Sequence, residues 1–141
     1  MELQADAMCR RFPNLRVASM RPHWVLIASD FYRLIAMEEL DSAKQLWGWT
    51  EVGACAQAFL LAITKDSETW KAGHEAFLIV SPRVGSNSQT TDLVKEWWPK
   101  VPCRKQFRGQ EGLFDCSKAK RILGWEHQVG GELSGGSVGN P

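Results

Sequence analysis

The sequence lacks long apolar segments and an excess of charge of either sign. No stretch approaches the roughly 20 consecutive apolar residues of a membrane-spanning helix, so we expect no membrane association. Seventeen basic residues face sixteen acidic ones, and this balance excludes the basic surface that nucleic-acid binding needs. The first residues also lack the charged-then-apolar pattern of a secretory signal, which favours a cytoplasmic location.

The four cysteines form neither a metal-binding nor a disulfide pattern. Cys9, Cys55, Cys103 and Cys116 include no C-x-x-C pair, and the three histidines do not cluster with them along the sequence. Structural zinc sites use closely spaced cysteine and histidine ligands. We therefore expect no metal site, and we interpret the cysteines as reduced structural side chains.

Helical and strand patterns alternate along the chain. Residues 15–20 and 75–80 are short apolar runs, typical of strands in a parallel sheet that is covered on both faces. Amphipathic spacing predicts helices over 1–12, from Val52 to Ile63, from Ser88 to Trp98, and within 114–125. The stretch 21–49 is expected to be mostly loop with one helix. This order predicts an α/β fold with the two strands as parallel neighbours.

Two helix ends carry local signals. Thr50 is expected to cap the helix that begins at Val52, because a short side-chain oxygen accepts a hydrogen bond from a first-turn N–H. Either Asp115 or Ser117 is expected to do the same for the last helix. Gly124 is placed to end that helix in a left-handed conformation, with Trp125 as its apolar lid.

Four stretches, taken in order, resemble a known family. They are LRVASMRPHWV, LWGWTEVGACAQAFLLAI, GHEAFLIVSP and LFDCSKAKRILGWE. Together they resemble the C-terminal part of the extended short-chain dehydrogenases/reductases, the NAD(P)-dependent epimerase/dehydratase family. The resemblance covers nearly all of 1–127 and implies the C-terminal portion of a Rossmann-like doubly wound fold plus a small substrate-binding lobe. The Gly- and Ser-rich residues 128–141 are expected to form a disordered tail.

Two features of that family are absent from these 141 residues. Family members have a G-x-x-G-x-x-G turn, which brings the dinucleotide pyrophosphate to a helix N-terminus, and a Tyr-x-x-x-Lys pair for acid–base chemistry. The single tyrosine, Tyr32, is followed four residues later by Ala36, and the glycines of 130–139 follow no strand pattern. The resemblance implies a truncated protein that binds no cofactor alone, although its full-length relatives use NAD(P).

The resemblance places the segment after the first strand near the substrate. This segment contains Arg21, Pro22, His23 and Trp24. His23 is the candidate catalytic residue, because imidazole titrates near neutral pH and the ends of strands in α/β sheets are where ligands bind. The alternative is a histidine that is bonded to the backbone. His74 is interpreted as a loop residue.

Three further residues complete the candidate substrate-binding set. Trp47 and Trp49 are candidates for an aromatic pocket together with Trp24, and packing beneath the lobe is the alternative. Glu51 lies where the family commonly has V-D-V-R-D-V-A and this chain has T-E-V-G-A-C-A. The charged Arg and one Asp of that motif are therefore missing, which argues against phosphate recognition.

Three functional hypotheses follow, and they leave open whether the protein is an enzyme. It is the substrate-side half of a dehydrogenase or epimerase, not redox-active alone, or the incomplete product of an ordinary oxidoreductase gene. Alternatively, it is a cofactor-independent isomerase or cyclase of small-molecule biosynthesis. In the family's sheet the strand at 15–20 is interior, so its free edge is expected to form a homodimer or to pair with a complementary chain.

The first prediction concerns the cofactor. Because the sequence carries neither the glycine turn nor the Tyr-Lys pair, we expect no appreciable binding of NAD or NADP by the 141-residue chain. Quenching of tryptophan fluorescence during a cofactor titration measures this, with an intact epimerase of the family as positive control. Saturable binding at micromolar cofactor would contradict the prediction.

Overall fold

Two parallel strands form the centre of the fold. The computed structural model describes residues 1–36, 39–65, 68 and 70–128, and the expected tail lies outside them from residue 129 onward. The strands of these residues are β1 (Arg16–Pro22), β2 (Val25–Leu26), β3 (Thr50–Glu51) and β4 (Gly73–Ile79). Their α-helices are α1 (Glu2–Arg11), α2 (Phe31–Ile35), α3 (Glu39–Lys44), α4 (Val52–Thr64), α5 (Thr90–Trp97) and α6 (Ser117–Leu123). The expected α/β class is confirmed.

Strands β1 and β4 pair in parallel, as the sequence predicts. Val17 lies opposite His74, Met20 opposite Phe77, and the pairing ends with Pro22 opposite Ile79. The predicted helices at the N-terminus, after Glu51 and near the end of the chain are also present. The stretch 21–49 differs from the expected loop with one helix: its described residues include β2, one turn of 3-10 helix (Ala28–Asp30), α2 and α3.

Helices cover both faces of the strand pair. On one face, α4 packs on β1 and α6 packs on β4, while α1 packs on both strands. Because side chains alternate between the faces of a strand, Met20 and Phe77 share the core with α4 and α6, whereas Ser19 and His74 point towards α1. The result is a helix–sheet–helix layering around a core that includes Phe77, Ile79, Leu123 and Trp125.

A buried histidine joins α1 to the sheet. The Nδ1 atom of His74 lies 2.7 Å from Asp6 Oδ1 on α1, and its Nε2 lies 2.8 Å from Ser19 Oγ on β1. The side chain of His74 is only 8% exposed. The interpretation of His74 as a loop residue is therefore wrong, because the residue belongs to β4 and both of its ring nitrogens are bonded.

The last helix ends as its sequence predicts. Gly124 has φ +71°, in the left-handed region, and the indole of Trp125 is 2% exposed beneath it. Asp115, rather than Ser117, supplies the side-chain bond at the helix start, since its Oδ1 accepts from the Ser117 N–H at 2.9 Å. The Trp125 Nε1–H donates to the Ala54 carbonyl on α4 at 2.8 Å, so Trp125 also connects the end of α6 to α4.

The outer edge of β1 has no strand neighbour among the described residues. The Leu15 carbonyl accepts from the Gly73 N–H, so it points towards β4. Because backbone groups alternate along a strand, those of Arg16, Ala18 and Met20 point away from β4, towards the outer edge. This arrangement leaves a row of strand N–H and C=O groups facing outward.

Helix α4 is apolar on two sides. Its inward residues are small, and Ala54 and Ala58 are almost fully buried. Its outward residues are large: Phe59, Leu60 and Ile63 are 46%, 60% and 78% exposed. A helix that is hydrophobic all round is ordinarily covered on all sides. Helix α4 packs on β1, the strand with the open edge, and this apolar face of the helix is exposed.

Membrane-spanning segments were sought among the same residues. None of the helices described above combines the length and the apolar character that crossing a membrane requires.

Candidate functional site

A single hydroxyl group separates the ends of the two central strands. If the ladder of β1 and β4 continued, the His23 N–H would donate to the Ile79 carbonyl. Instead, it donates to Thr50 Oγ1 at 3.0 Å, and that hydroxyl donates to the Ile79 carbonyl at 2.6 Å. Thr50 is fully buried. The prediction that Thr50 caps α4 is wrong, because its hydroxyl is used between the strands.

Residues 49–51, which we call the wedge, lie between the diverging ends of β1 and β4. The Thr50 N–H donates to the Trp24 carbonyl at 3.1 Å on the β1 side. The Trp49 carbonyl accepts from the Ser81 N–H at 2.7 Å on the β4 side. Open α/β sheets bind ligands at the carboxyl ends of their strands, where the chains diverge. The wedge places the neighbouring side chains in that position.

His23 lies at the end of β1 with its ring unbonded. Only its backbone N–H is used by Thr50, and neither ring nitrogen has a hydrogen-bond partner within the described ranges. The ring is half-buried and packs against Phe114, with a centroid distance of 5.2 Å. Burial lowers the pKa of His23 below its ordinary value, so the imidazole is neutral at physiological pH.

Glu51 and Trp49 are fixed by the same wedge. The Glu51 carboxylate accepts from the Ala54 N–H at 2.8 Å and is the N-cap of α4. The Trp49 Nε1–H donates to the Arg83 carbonyl at 3.0 Å. The indole of Trp49, which is 3% exposed, packs against Phe31 at 4.8 Å. These two candidates therefore hold the segment around Thr50 in place.

His127 approaches the wedge from the far end of the chain. Its Nε2 accepts from the Glu51 N–H at 3.0 Å. Its ring lies edge-on to Trp49 at 5.1 Å and to Trp125 at 6.0 Å. Its Nδ1 is buried and has no hydrogen-bond partner among the described residues. Burial lowers the pKa of His127, while the charge of Glu51 opposes this change.

A cleft of about 280 Å³ opens beside His127, past the end of β4. It is lined by Val80, Pro82, Phe114, Cys116, Ser117, Lys120, Trp125, Glu126 and His127. Burial raises the pKa of the Cys116 thiol, which therefore stays protonated and lies 3.5 Å from the Val80 carbonyl. The cleft is small and has both apolar and polar lining residues, and Cys116 is not an activated nucleophile within it.

None of the seven candidate residues lines this cleft, and four of them lie away from Thr50 as well. Arg21 forms an exposed ion pair with Glu2 of α1, and Pro22 is the exposed last residue of β1. Trp24 is 44% exposed, has φ +34°, and borders a separate groove with Val25, Ile27 and Val52. Trp47 is buried in a second core with Val84 and Leu93. The structure thus groups His23, Trp49 and Glu51 around Thr50, but not the other four.

Sequence reasoning missed all the residues that line the cleft. Phe114, Cys116 and His127 precede and follow the last helix, which the sequence analysis treated only as a structural element. The useful signal was the position of that helix. A helix that docks on β4 brings its flanking residues to the carboxyl end of that strand.

Among the described residues, no glycine turn links a strand to a helix N-terminus, and Tyr32 is 61% exposed on α2 with Ala36 four residues later. The expectation that the chain alone binds no nicotinamide cofactor stays a prediction. The cysteines are free, and no group of three potential metal ligands occurs within the described ranges.

Comparisons with family models, with curated proteins and with solved structures found no match for this chain.

The two half-buried histidines, His23 and His127, predict the pH dependence of stability. In the unfolded chain both bind a proton near pH 6.5, whereas in the folded protein burial lowers the pKa of His23 and of His127. The unfolded state therefore binds more protons as the pH falls through about 6.5, and the free energy of unfolding decreases. We expect the melting temperature to fall between about pH 7.5 and pH 5.5.

A matched variant separates the histidines from other groups. Glu111 and Asp115 have lowered pKa values, so their contribution is lost at more acidic pH than this window. His127→Phe keeps an aromatic ring between Trp49 and Trp125 but cannot titrate, so it should flatten the decrease. A melting temperature that rises on acidification would contradict the prediction.

Proposed function

We propose that this chain is the substrate-side part of an NAD(P)-dependent epimerase/dehydratase-like protein with a Rossmann-like fold. In this proposal it binds a small organic molecule and carries out no redox chemistry alone. The observation that supports it is the cleft at the carboxyl end of the parallel pair β1–β4, which is where doubly wound sheets bind their ligands. The helices on both faces of the pair are compatible with the same fold.

The cleft's own side chains determine what it accommodates. Phe114 supplies flat apolar surface, while the buried Trp125 behind it is fixed by its bond to the Ala54 carbonyl. His127 is positioned by its bond to the Glu51 N–H. The walls therefore combine fixed aromatic rings with the polar side chains of Ser117, Lys120 and Glu126, and such a mixture can orient a small molecule.

Indole signals in 1H–15N NMR spectra test ligand binding at this position. A fragment that enters the cleft should shift the Nε1–H signals of Trp125 and Trp49, since both rings lie against His127. Trp70 is the internal control, because its Nε1–H donates to the Gly73 carbonyl at the opposite end of β4. Fragments that shift all three signals equally, or none, would contradict the proposal.

We further propose that the outer edge of β1 pairs with a strand of a complementary chain. The outward backbone groups of Arg16, Ala18 and Met20 offer a template for a strand. The exposed Phe59, Leu60 and Ile63 side chains of α4 provide apolar cover on that side of the fold. Burial of both features would satisfy the hydrogen bonds and remove apolar surface from water in one step. The alternative is that a second copy of this chain pairs with the same edge and forms a homodimer.

Light scattering and hydrogen exchange test this association. In the isolated monomer, the Ala18 and Met20 amides should exchange faster than those of Val17 and Ser19, which face β4. Pairing should slow the exchange of Ala18 and Met20, and Ile63→Glu on α4 should oppose it. A stable monomer whose Ala18 and Met20 amides are protected would show that the edge is closed in another way.

A second candidate is a cofactor-independent isomerase or cyclase that uses His23. The observation that favours it is the unbonded, half-buried ring of His23 at the end of β1, whose pKa is lowered by burial. A neutral imidazole can abstract a proton from a carbon next to a carbonyl group. The backbone bond to Thr50 holds the residue in place without using the ring.

Deuterium exchange measures this activity without knowledge of the natural substrate. The protein should accelerate exchange of the methyl protons of acetophenone in deuterated water, and His23→Ala should abolish the acceleration. Gly48→Ala should reduce it, because a Cβ at Gly48 would lie 2.6 Å from Phe114 and 3.1 Å from the His23 ring. Unchanged exchange in His23→Ala, or loss of folding together with activity, would argue against this role.

A further inference from the structure

Another groove lies between α5 and the segment 103–107. Its volume is about 490 Å³, within the usual range for small-molecule sites. Its lining includes Thr91, Val94, Lys95, Cys103, Lys105 and Phe107. None of its lining residues lines the cleft beside His127, so this groove is separate from the site of the proposed function.

Hydrogen bonds hold the second wall of the groove against α5. The Thr91 hydroxyl donates to the Phe107 carbonyl at 3.4 Å, and the Thr90 hydroxyl donates to the Glu111 carbonyl at 2.7 Å. The Glu111 carboxylate in turn accepts from Lys105 Nζ at 2.5 Å. The two walls are therefore linked at several points, so the groove is formed before any ligand arrives.

Basic residues are concentrated around this groove. Residues 95–108 contain five basic side chains and Glu96 as the single acidic one, whereas the rest of the chain has more acidic than basic residues. All five are exposed: Lys95, Lys100, Arg104, Lys105 and Arg108. Lys105 is paired with Glu111, but Lys95, the other cation of the lining, has no partner among the described residues. The groove thus presents an accessible positive charge that no carboxylate neutralises.

The ring of Phe107 gives the same groove an apolar surface. Phe107 is half-buried, and Lys105 Nζ lies 5.3 Å from the centre of its ring. A flat apolar molecule can pack against this ring while an anionic group on the same molecule faces Lys95. Because the lining offers one unpaired ammonium group, a single negative charge suits it better than a phosphate monoester, which carries nearly two.

We propose that this groove binds a small aromatic monocarboxylate, whose ring packs against Phe107 and whose carboxylate pairs with Lys95. An ion pair with an exposed lysine contributes little free energy and is screened by salt. The groove is therefore expected to select by charge rather than to bind tightly.

Three planar probes of nearly one shape test this on the complete chain. Benzoate is anionic, benzamide is neutral and benzamidine is cationic at neutral pH. Titrations followed at the backbone 1H–15N signals of Thr91, Gln106 and Phe107 should give benzoate an affinity about fivefold higher than that of benzamide at low salt, the upper range for an exposed ion pair. Benzamidine should bind most weakly. Added salt should reduce the preference for benzoate, and phenyl phosphate should bind no more tightly than benzoate.

Matched lysine variants separate the groove from a general effect of charge. Lys95→Gln should remove the preference for benzoate over benzamide, and Lys95→Arg should retain it. Lys100→Gln removes the same charge from an exposed position outside the lining, so it should leave the preference unchanged. Lys95 is exposed on α5, and glutamine has nearly the helix propensity of lysine, so the variant should keep its fold.

The thiol of Cys103 provides a second readout on the unaltered protein. Because it is free, exposed and part of the lining, bound benzoate should slow its alkylation by iodoacetamide more than benzamide does, whereas the alkylation of Cys9 should not change.

Four results would overturn this proposal. They are equal affinities for benzoate and benzamide, tightest binding of benzamidine or of phenyl phosphate, an equal loss of preference in Lys95→Gln and Lys100→Gln, and no shift of the groove signals by any probe. Shifts confined to the Trp125 indole would place the probes in the cleft, which would support the proposed function while overturning this proposal.

Discussion

The hydroxyl of Thr50 is the interaction on which the rest of this structure depends. It accepts from the His23 N–H and donates to the Ile79 carbonyl, in place of a direct bond between the strand ends. A buried hydroxyl in this position keeps both backbone groups satisfied while the chains separate. Valine has nearly the same shape but would leave the N–H and the carbonyl without partners. The divergence of the strands, and therefore the cleft, requires an atom that donates and accepts at once.

The wedge also explains why the site and the open edge occur in one small fold. With only one strand on each side of the wedge, the outer edge of β1 has no strand paired with it among the described residues. Helix α4 begins directly at the wedge, capped by Glu51, and packs on β1 with its large side chains exposed. The same short segment therefore positions the cleft wall, starts the exposed apolar helix and ends the sheet. A complementary strand at β1 would leave the cleft beside β4 accessible.

Local patterns in the sequence predicted the elements, but not the contacts between distant segments. Two predictions rest on local signals, the strands β1 and β4 and the helix end at Gly124, and both are confirmed. Thr50 was misread as a cap because a threonine before a helix has that local meaning; its actual partners, His23 and Ile79, lie 27 and 29 residues away. His127, 76 residues from Glu51, could not be placed for the same reason. Spacing rules describe one element at a time, and a site at strand ends is made by several.

The three histidines illustrate how hydrogen-bond satisfaction separates structural from functional roles. In His74 both ring nitrogens are bonded, to Asp6 and Ser19, so the ring can only hold α1 to the sheet. In His127 one nitrogen is bonded and the other is buried without a partner among the described residues, so the ring is oriented from one side only. In His23 neither ring nitrogen is bonded within the described residues, and only its backbone is held. A histidine with both nitrogens bonded supports a fold, whereas an unbonded neutral imidazole is chemically able to exchange protons. The bonding of each ring, rather than its position in the sequence, therefore separates these two possibilities.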